Sequence, residues 1–127
     1  MKIKLHQLFT SWAILKKVSQ FEIEASQAIR LNRFMQSAEK EHALIETQRL
    51  RLVQQFGEES KDLLGESVWS VPKEKESEFW SAFSPILAEE IEIYNPALSA
   101  DTLAGQKISA IDFFAIAFLF KNESESE

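Results

Sequence analysis

Cysteine is absent from the 127 residues, and glycine and proline are scarce at three each. The first absence excludes disulfides, thiol nucleophiles, iron–sulfur clusters and thiolate zinc sites together. The second matters through its distribution. Residues 1–56 contain neither glycine nor proline, Gly57, Gly65, Pro72, Pro85, Pro96 and Gly105 all fall in the middle, and none follows. That spacing predicts a long uninterrupted helical front, a broken middle and one short helix at the end. Long apolar runs are missing as well. The longest, Phe113 to Phe120, has eight residues, whereas a membrane span takes about twenty; no membrane segment is expected. The residues after Met1-Lys2-Ile3-Lys4-Leu5 include His6, Gln7, Thr10, Ser11, Lys16 and Lys17, which make no signal-peptide apolar region.

What is abundant is aromatic and aliphatic material. Hydrophobic residues make up 45% of the chain, with ten phenylalanines and three tryptophans, enough to fill one core. A single mainly helical domain is expected over 1–121. Asn122 to Glu127 is acidic and without apolar residues, so it is expected to be a disordered tail. The formal charge of −6 argues against a general nucleic-acid binder, because the phosphate backbone is recognised through clustered Lys and Arg.

Leu5, Phe9, Trp12, Leu15 and Val18 recur at steps of three or four and predict a first helix over 5–18. Ser19 stands three residues before Glu22, the spacing of a capping box, and predicts that a second helix begins near 20–24. That helix runs on to Phe56, with Leu31, Ala38, Ile45 and Leu52 at seven-residue steps. Met35, His42, Arg49 and Phe56 flank them, and Ala28, Phe34 and Val53 widen the stripe. Gly57 is placed where a left-handed helix cap would stop it. A helix of that length spans about 50 Å, more than the short elements that remain would easily cover. Val68 to Val71 and Glu90 to Tyr94 alternate and are expected to pair as two strands. Between them, Pro72 is expected to open a third helix whose buried face carries Phe79, Trp80, Phe83 and Leu87, with Pro85 either kinking or restarting it. Ser109 and Asp112 repeat the capping spacing before a last helix over 111–120 that is apolar on nearly every face.

Residues that could carry chemistry are few. Glu39 and His42 form one Glu-x-x-His pair on the long helix, but a di-iron bundle needs a second pair and two more carboxylates, and His6 has no such glutamate. No metal or cofactor is expected. Glycine-rich phosphate loops, a GxSxG elbow and Ser/His/Asp groupings are missing from the sequence, and neither an enzyme nor a small-molecule substrate is expected. Arg30, Arg33, Lys40, Arg49 and Arg51 place cations on the long helix, but Glu39, Glu41 and Glu46 are interleaved with them. A mixed solvated face, not a nucleic-acid surface, is the expectation.

The order of pieces carries a resemblance. The long helix ends in QFGEE; it is followed by a tryptophan-bearing short strand with proline, an FWSAF helix, an EIEIYNPALSADTLAG strand and turn, and a final ISAIDFFAIAFLF helix. This series, over nearly the whole chain, resembles a group of small uncharacterised proteins of tailed bacteriophages and prophages. The resemblance rests on hydrophobic pattern and element order. It implies a phage or prophage origin and a place in the host cytoplasm or the virion, and it carries no catalytic residue across.

The expected fold is α+β and predominantly α: a helical hairpin with one long spine helix, a short two-stranded β element and two further helices. The expected function is non-enzymatic protein–protein interaction, either with a protein partner or by self-association, as a structural or assembly component. A small acidic inhibitor or regulator of a host protein is the alternative, and a nucleic-acid adaptor the third. Candidate partner-binding residues are Phe113, Phe114, Phe118 and Phe120 of the last helix, and Met35, His42 and Arg49 of the long one.

Overall fold

The structure, a computed structural model, describes residues 1–121. The expected tail over 122–127 lies outside the described residues. The fold is α+β and predominantly α. Strand β1 (Lys2–Lys4) leads directly into helix α1 (Leu5–Val18), and the long helix α2 (Ala25–Phe56) follows. Strands β2 (Glu58–Lys61) and β3 (Ser67–Ser70) form a hairpin; then come α3 (Glu76–Leu87), β4 (Glu90–Glu92) and α4 (Ala110–Ala115).

Helix α1 has the bounds its periodicity predicts, but its buried line is rotated by one side chain. Leu5, Leu8, Ser11, Leu15 and Val18 face the core, while Phe9 and Trp12 lie half-buried at its edge. Ser11 is tolerated there because its hydroxyl donates to the Gln7 carbonyl at 2.6 Å. The α1–α2 connection departs from the expected capping box. Ser19 closes α1: its hydroxyl donates to the Lys16 carbonyl at 2.7 Å, and the amides of Gln20 and Phe21 continue the turn. Glu24 caps α2 without a side-chain bond.

One face of α2 is buried from Leu31 through Phe34, Met35, Ala38, Ile45 and Leu52 to Val53. Its 32 residues span about 48 Å, and different parts of the chain cover different stretches. The crossing after β4 covers the first half: Gln27 Oε1 accepts from the Ser99 amide at 3.0 Å and from the Thr102 hydroxyl at 3.1 Å. Phe118 lies 6.0 Å from Phe34. Helix α3 and the hairpin base pack on the second half, and α1 lies alongside. Phe83 is fully buried and meets Phe9 edge-on at 5.3 Å.

The strands pair differently from expectation. Residues 67–70 pair with 58–61, and residues 90–92 pair with the chain start, so there are two separate two-stranded antiparallel sheets. In the second, Lys2 faces Glu92, Ile3 faces Ile91 and Lys4 faces Glu90. A one-residue slip would expose the buried Ile3, which fixes this register. Around it, the Met1 amino group donates to the Ile93 carbonyl at 2.8 Å, and the Leu5 amide to the Glu89 carbonyl at 2.9 Å.

Gly57 does not adopt the left-handed cap expected of it. Its φ of −101° and ψ of 179° are extended, and the chain turns from α2 straight into β2. Glycine is required by space: an added Cβ would overlap the Val53 carbonyl oxygen and lie 2.7 Å from that of Ser70. Pro72 is extended and precedes a single 3-10 turn over Lys73–Lys75, so it stands outside the helix it was expected to open. Pro85 sits in the last turn of α3, which passes through it and closes with the Ala88 amide on the Ser84 carbonyl at 3.0 Å.

The last helix is shorter than expected. Ser109 caps it by accepting from the Asp112 amide at 3.1 Å, but it ends at Ala115. A 3-10 turn over Ala117–Leu119 follows, and then Phe120 forms a parallel bridge with Leu98. The Leu98 amide donates to the Leu119 carbonyl, and the Lys121 amide to the Leu98 carbonyl, both at 2.8 Å. Unwinding places Ile116 and Leu119 in the core together.

Because backbone oxygens from α2 and β3 both crowd Gly57, Gly57→Ala is expected to cost about 1–3 kcal/mol, as overpacking does. Gly65→Ala meets no atom but has a φ of +81°, and is expected to cost about 1–2 kcal/mol. Urea unfolding of the two variants against the parent chain measures both.

Candidate interaction surface

Four aromatics of the last segment were candidates for partner contact, and the structure divides them. Phe114 and its neighbour Ile111 are each 83% exposed, and Phe113 stands beside them at 39%. Phe118 and Phe120 are half-buried against the core, Phe118 near Phe34 and Phe120 with its ring 5.2 Å from that of Phe113. Six residues of helix are too few to hide an apolar segment on all sides. Ile116 and Leu119 take the interior, and Ile111 and Phe114 are left outside.

Met35 is corrected to a core residue. Four residues after Leu31 it falls on the buried stripe of α2 and is 6% exposed, reaching the surface only at the floor of a depression shared with Phe21, Ile23 and Leu31. His42 and Arg49 are partly exposed and belong to one small cluster. The His42 imidazole lies flat on the Trp12 indole, with centroids 4.1 Å apart and planes 9° apart. Arg49 donates from Nε to both Glu46 oxygens at 3.1 Å and from Nη2 to Oε2 at 2.8 Å. Spacings of four and three residues bring all three α2 side chains onto one face. Burial under Trp12 pushes the His42 pKa below its ordinary value; the carboxylate of Glu46 opposes this, and the cations Lys16 and Arg49 reinforce it. The Arg49 hydrogen bond holds the Glu46 carboxyl below its usual range. The cluster is a packed seam between α1 and α2.

Glu39, the other half of the Glu-x-x-His spacing, is exposed, and among the described residues no three His, Asp or Glu side chains form a metal-binding group. Arg30 donates to the Ala97 carbonyl at 3.4 Å, while Arg33, Lys40 and Arg51 point to solvent. The exposed apolar residues of α2, Ile29, Leu44 and Leu50, are dispersed, the first two roughly 22 Å apart along the helix axis.

Two features have no counterpart among the candidate partner-binding residues, and the first rests on Trp80, which is half-exposed and not on the buried face expected of it. A cleft of about 470 Å³ opens between the start of α1 and α3, with Trp80 and Leu87 as its apolar wall and Lys4, His6, Gln7 and Ser84 along its polar side. Trp80 also borders a second depression of about 340 Å³, where Arg49 and Val53 of α2 meet Trp69 and Ser70 of the hairpin base. The other feature is the hairpin itself. All eight residues of β2 and β3 are exposed, and at its tip Leu63 is 104% exposed and Leu64 86%. Two adjacent leucines between Asp62 and Gly65, in an otherwise polar stretch, were the available sequence signal. The cleft had none, because its walls lie more than seventy residues apart in the chain.

No family model matches the chain, and neither does any curated protein or solved structure. No helix among the described residues is long and apolar enough to cross a membrane.

The lowered His42 pKa fixes the sign of a pH effect. Between the unfolded value of 6.5 and the lower folded one, the unfolded chain binds the proton first. Stability is therefore expected to fall as pH drops through 6.5 and to level off below the folded value. His42→Phe keeps an aromatic ring on Trp12 and is expected to flatten the dependence as pH falls from neutral through 6.5. Denaturant titrations across that range test this; an unchanged slope in the variant would assign the effect to other groups. Loss of the Glu46 contribution belongs to more acidic pH, below its usual value of 4.5.

Proposed function

We propose that this protein acts through protein–protein contacts, without catalysis, as a structural or assembly component of a phage or prophage, in the host cytoplasm or in the virion. The observation that carries the reading is the apolar patch of α4. Ile111 and Phe114 stand almost fully in water, with Phe113 beside them, while the same short segment anchors itself through Ile116 and Leu119. Large apolar side chains grouped at one exposed site cost solvation that a partner would recover, at roughly 25 cal/mol per Å² covered. The anchoring holds them in a defined place, so a partner would meet a preformed surface.

Chain order and hydrophobic pattern support the phage assignment through their resemblance to small proteins of tailed phages. Cations of α2 alternate with Glu39, Glu41 and Glu46 along the chain, which supports a protein partner over a nucleic acid.

The test is composition. The chain is expected at fixed stoichiometry in purified particles or in their assembly intermediates, read by quantitative mass spectrometry. Ile111→Ser combined with Phe114→Ser removes the patch from two exposed positions; it is expected to leave stability within about 0.5 kcal/mol and to abolish incorporation. Absence of the parent chain from both particles and intermediates overturns the reading.

A further inference from the structure

We propose that the Leu63–Leu64 tip of the β2–β3 hairpin docks in the cleft beside Trp80 of a second copy of this chain. The inference rests on the reading that the protein acts through protein contacts, and it names one partner and one site.

The tip is a built feature. The Gly65 amide donates to the Asp62 carbonyl at 3.0 Å, and the Asp62 amide to the Glu66 carbonyl at 2.9 Å. Asp62 Oδ1 accepts from the amides of Leu64 and Glu66, both at 2.9 Å. Gly65, at a φ of +81°, completes the turn. This bonding holds both leucines outward on an arm whose four-residue strands reach roughly 14 Å. Its charge is one-sided: Glu58, Glu59, Asp62 and Glu66 against Lys61 alone.

The cleft has the complementary chemistry. Trp80, 48% exposed, and Leu87 offer an apolar wall, and the volume of about 470 Å³ lies within the range that takes compact apolar groups. Lys4, which also faces Glu90 across the β1–β4 pair, the His6 imidazole and the positive end of the 14-residue α1, whose Leu5 amide is already taken by the Glu89 carbonyl, line the other side, and no carboxylate is among the lining residues. An apolar pair flanked by carboxylates is what such a cleft recognises. The hairpin tip of this chain is that pair.

A copy does not satisfy itself. Its own tip stands in water and no hairpin residue lines its own cleft; the hairpin-base residues Trp69 and Ser70 line the other depression beside Trp80. Tip into cleft is a heterologous contact, in which each copy gives one surface and receives on another.

Heterologous contacts allow a complementation test. Leu63→Ser with Leu64→Ser disables the tip and leaves the cleft; His6→Glu with Ser84→Glu puts carboxylates at two exposed positions in the cleft and leaves the tip. The parent chain is expected to sediment and scatter light as a species larger than one chain. Each double variant is expected to show an unchanged circular dichroism spectrum and association weakened roughly tenfold or more. An equimolar mixture of the two is expected to restore a two-chain complex, since one variant still supplies the cleft and the other the tip. A monomeric parent at the highest soluble concentration overturns the proposal, as does association that survives both lesions or a mixture without complex. Association lost instead in the Ile111→Ser, Phe114→Ser variant overturns this contact and leaves the wider reading standing, because that variant touches neither tip nor cleft.

Discussion

A 32-residue helix cannot bury its own apolar stripe, and the rest of this fold is arranged around that constraint. The stripe from Leu31 to Val53 must be covered along its length by elements that are each much shorter. The chain meets it piecewise. Its C-terminal crossing packs on the first half, α3 and the hairpin base on the second, and α1 alongside, so that α2 serves as a spine for contacts distant in sequence. Covering one face is sufficient; the opposite face is left to Arg33, Lys40 and Arg51 with a few isolated aliphatics.

Two closures make that arrangement stick. At one end β1 pairs with β4, so the residues before α1 and after α3 are tied by backbone bonds and by the Met1 amino group, which donates to the Ile93 carbonyl. At the other, the Leu98–Phe120 bridge ends the helical course of the last segment and turns Leu119 inward. Both closures expose something. The first frames the cleft between Lys4 and Trp80; the second fixes Ile116 and leaves Ile111 and Phe114 in water. The surfaces on which function is proposed are thus by-products of how the spine is covered.

The front half of the chain was largely legible. Without glycine or proline, and with apolar residues at three- and four-residue steps, α1 and α2 could hardly be anything else, and α1 carries the predicted bounds. The cap signals were less reliable. Ser109 is a true helix cap, whereas Ser19, with the same spacing to an acidic residue, bonds backwards to Lys16. Both readings are locally satisfactory, and packing chose between them. Of the candidate partner residues, Phe114 is exposed, while Met35 went to the core because the stripe on α2 is wider than a narrow seam.

The sequence by itself determined where the first two helices run, that a glycine at 57 ends the long one, and that the segment near the C-terminus is apolar on nearly every face. These are local matters of period, propensity and space along the backbone. Tertiary structure decided strand partners, the length of the last helix and the location of the cleft. Alternation marks 68–71 and 90–94 as strands, close to the observed 67–70 and 90–92, but says nothing of their partners, since each presents backbone donors and acceptors that any other strand can meet. Only when α1 and α3 lie side by side does residue 4 come opposite residue 90, and only then do Lys4, His6 and Trp80 enclose a common space.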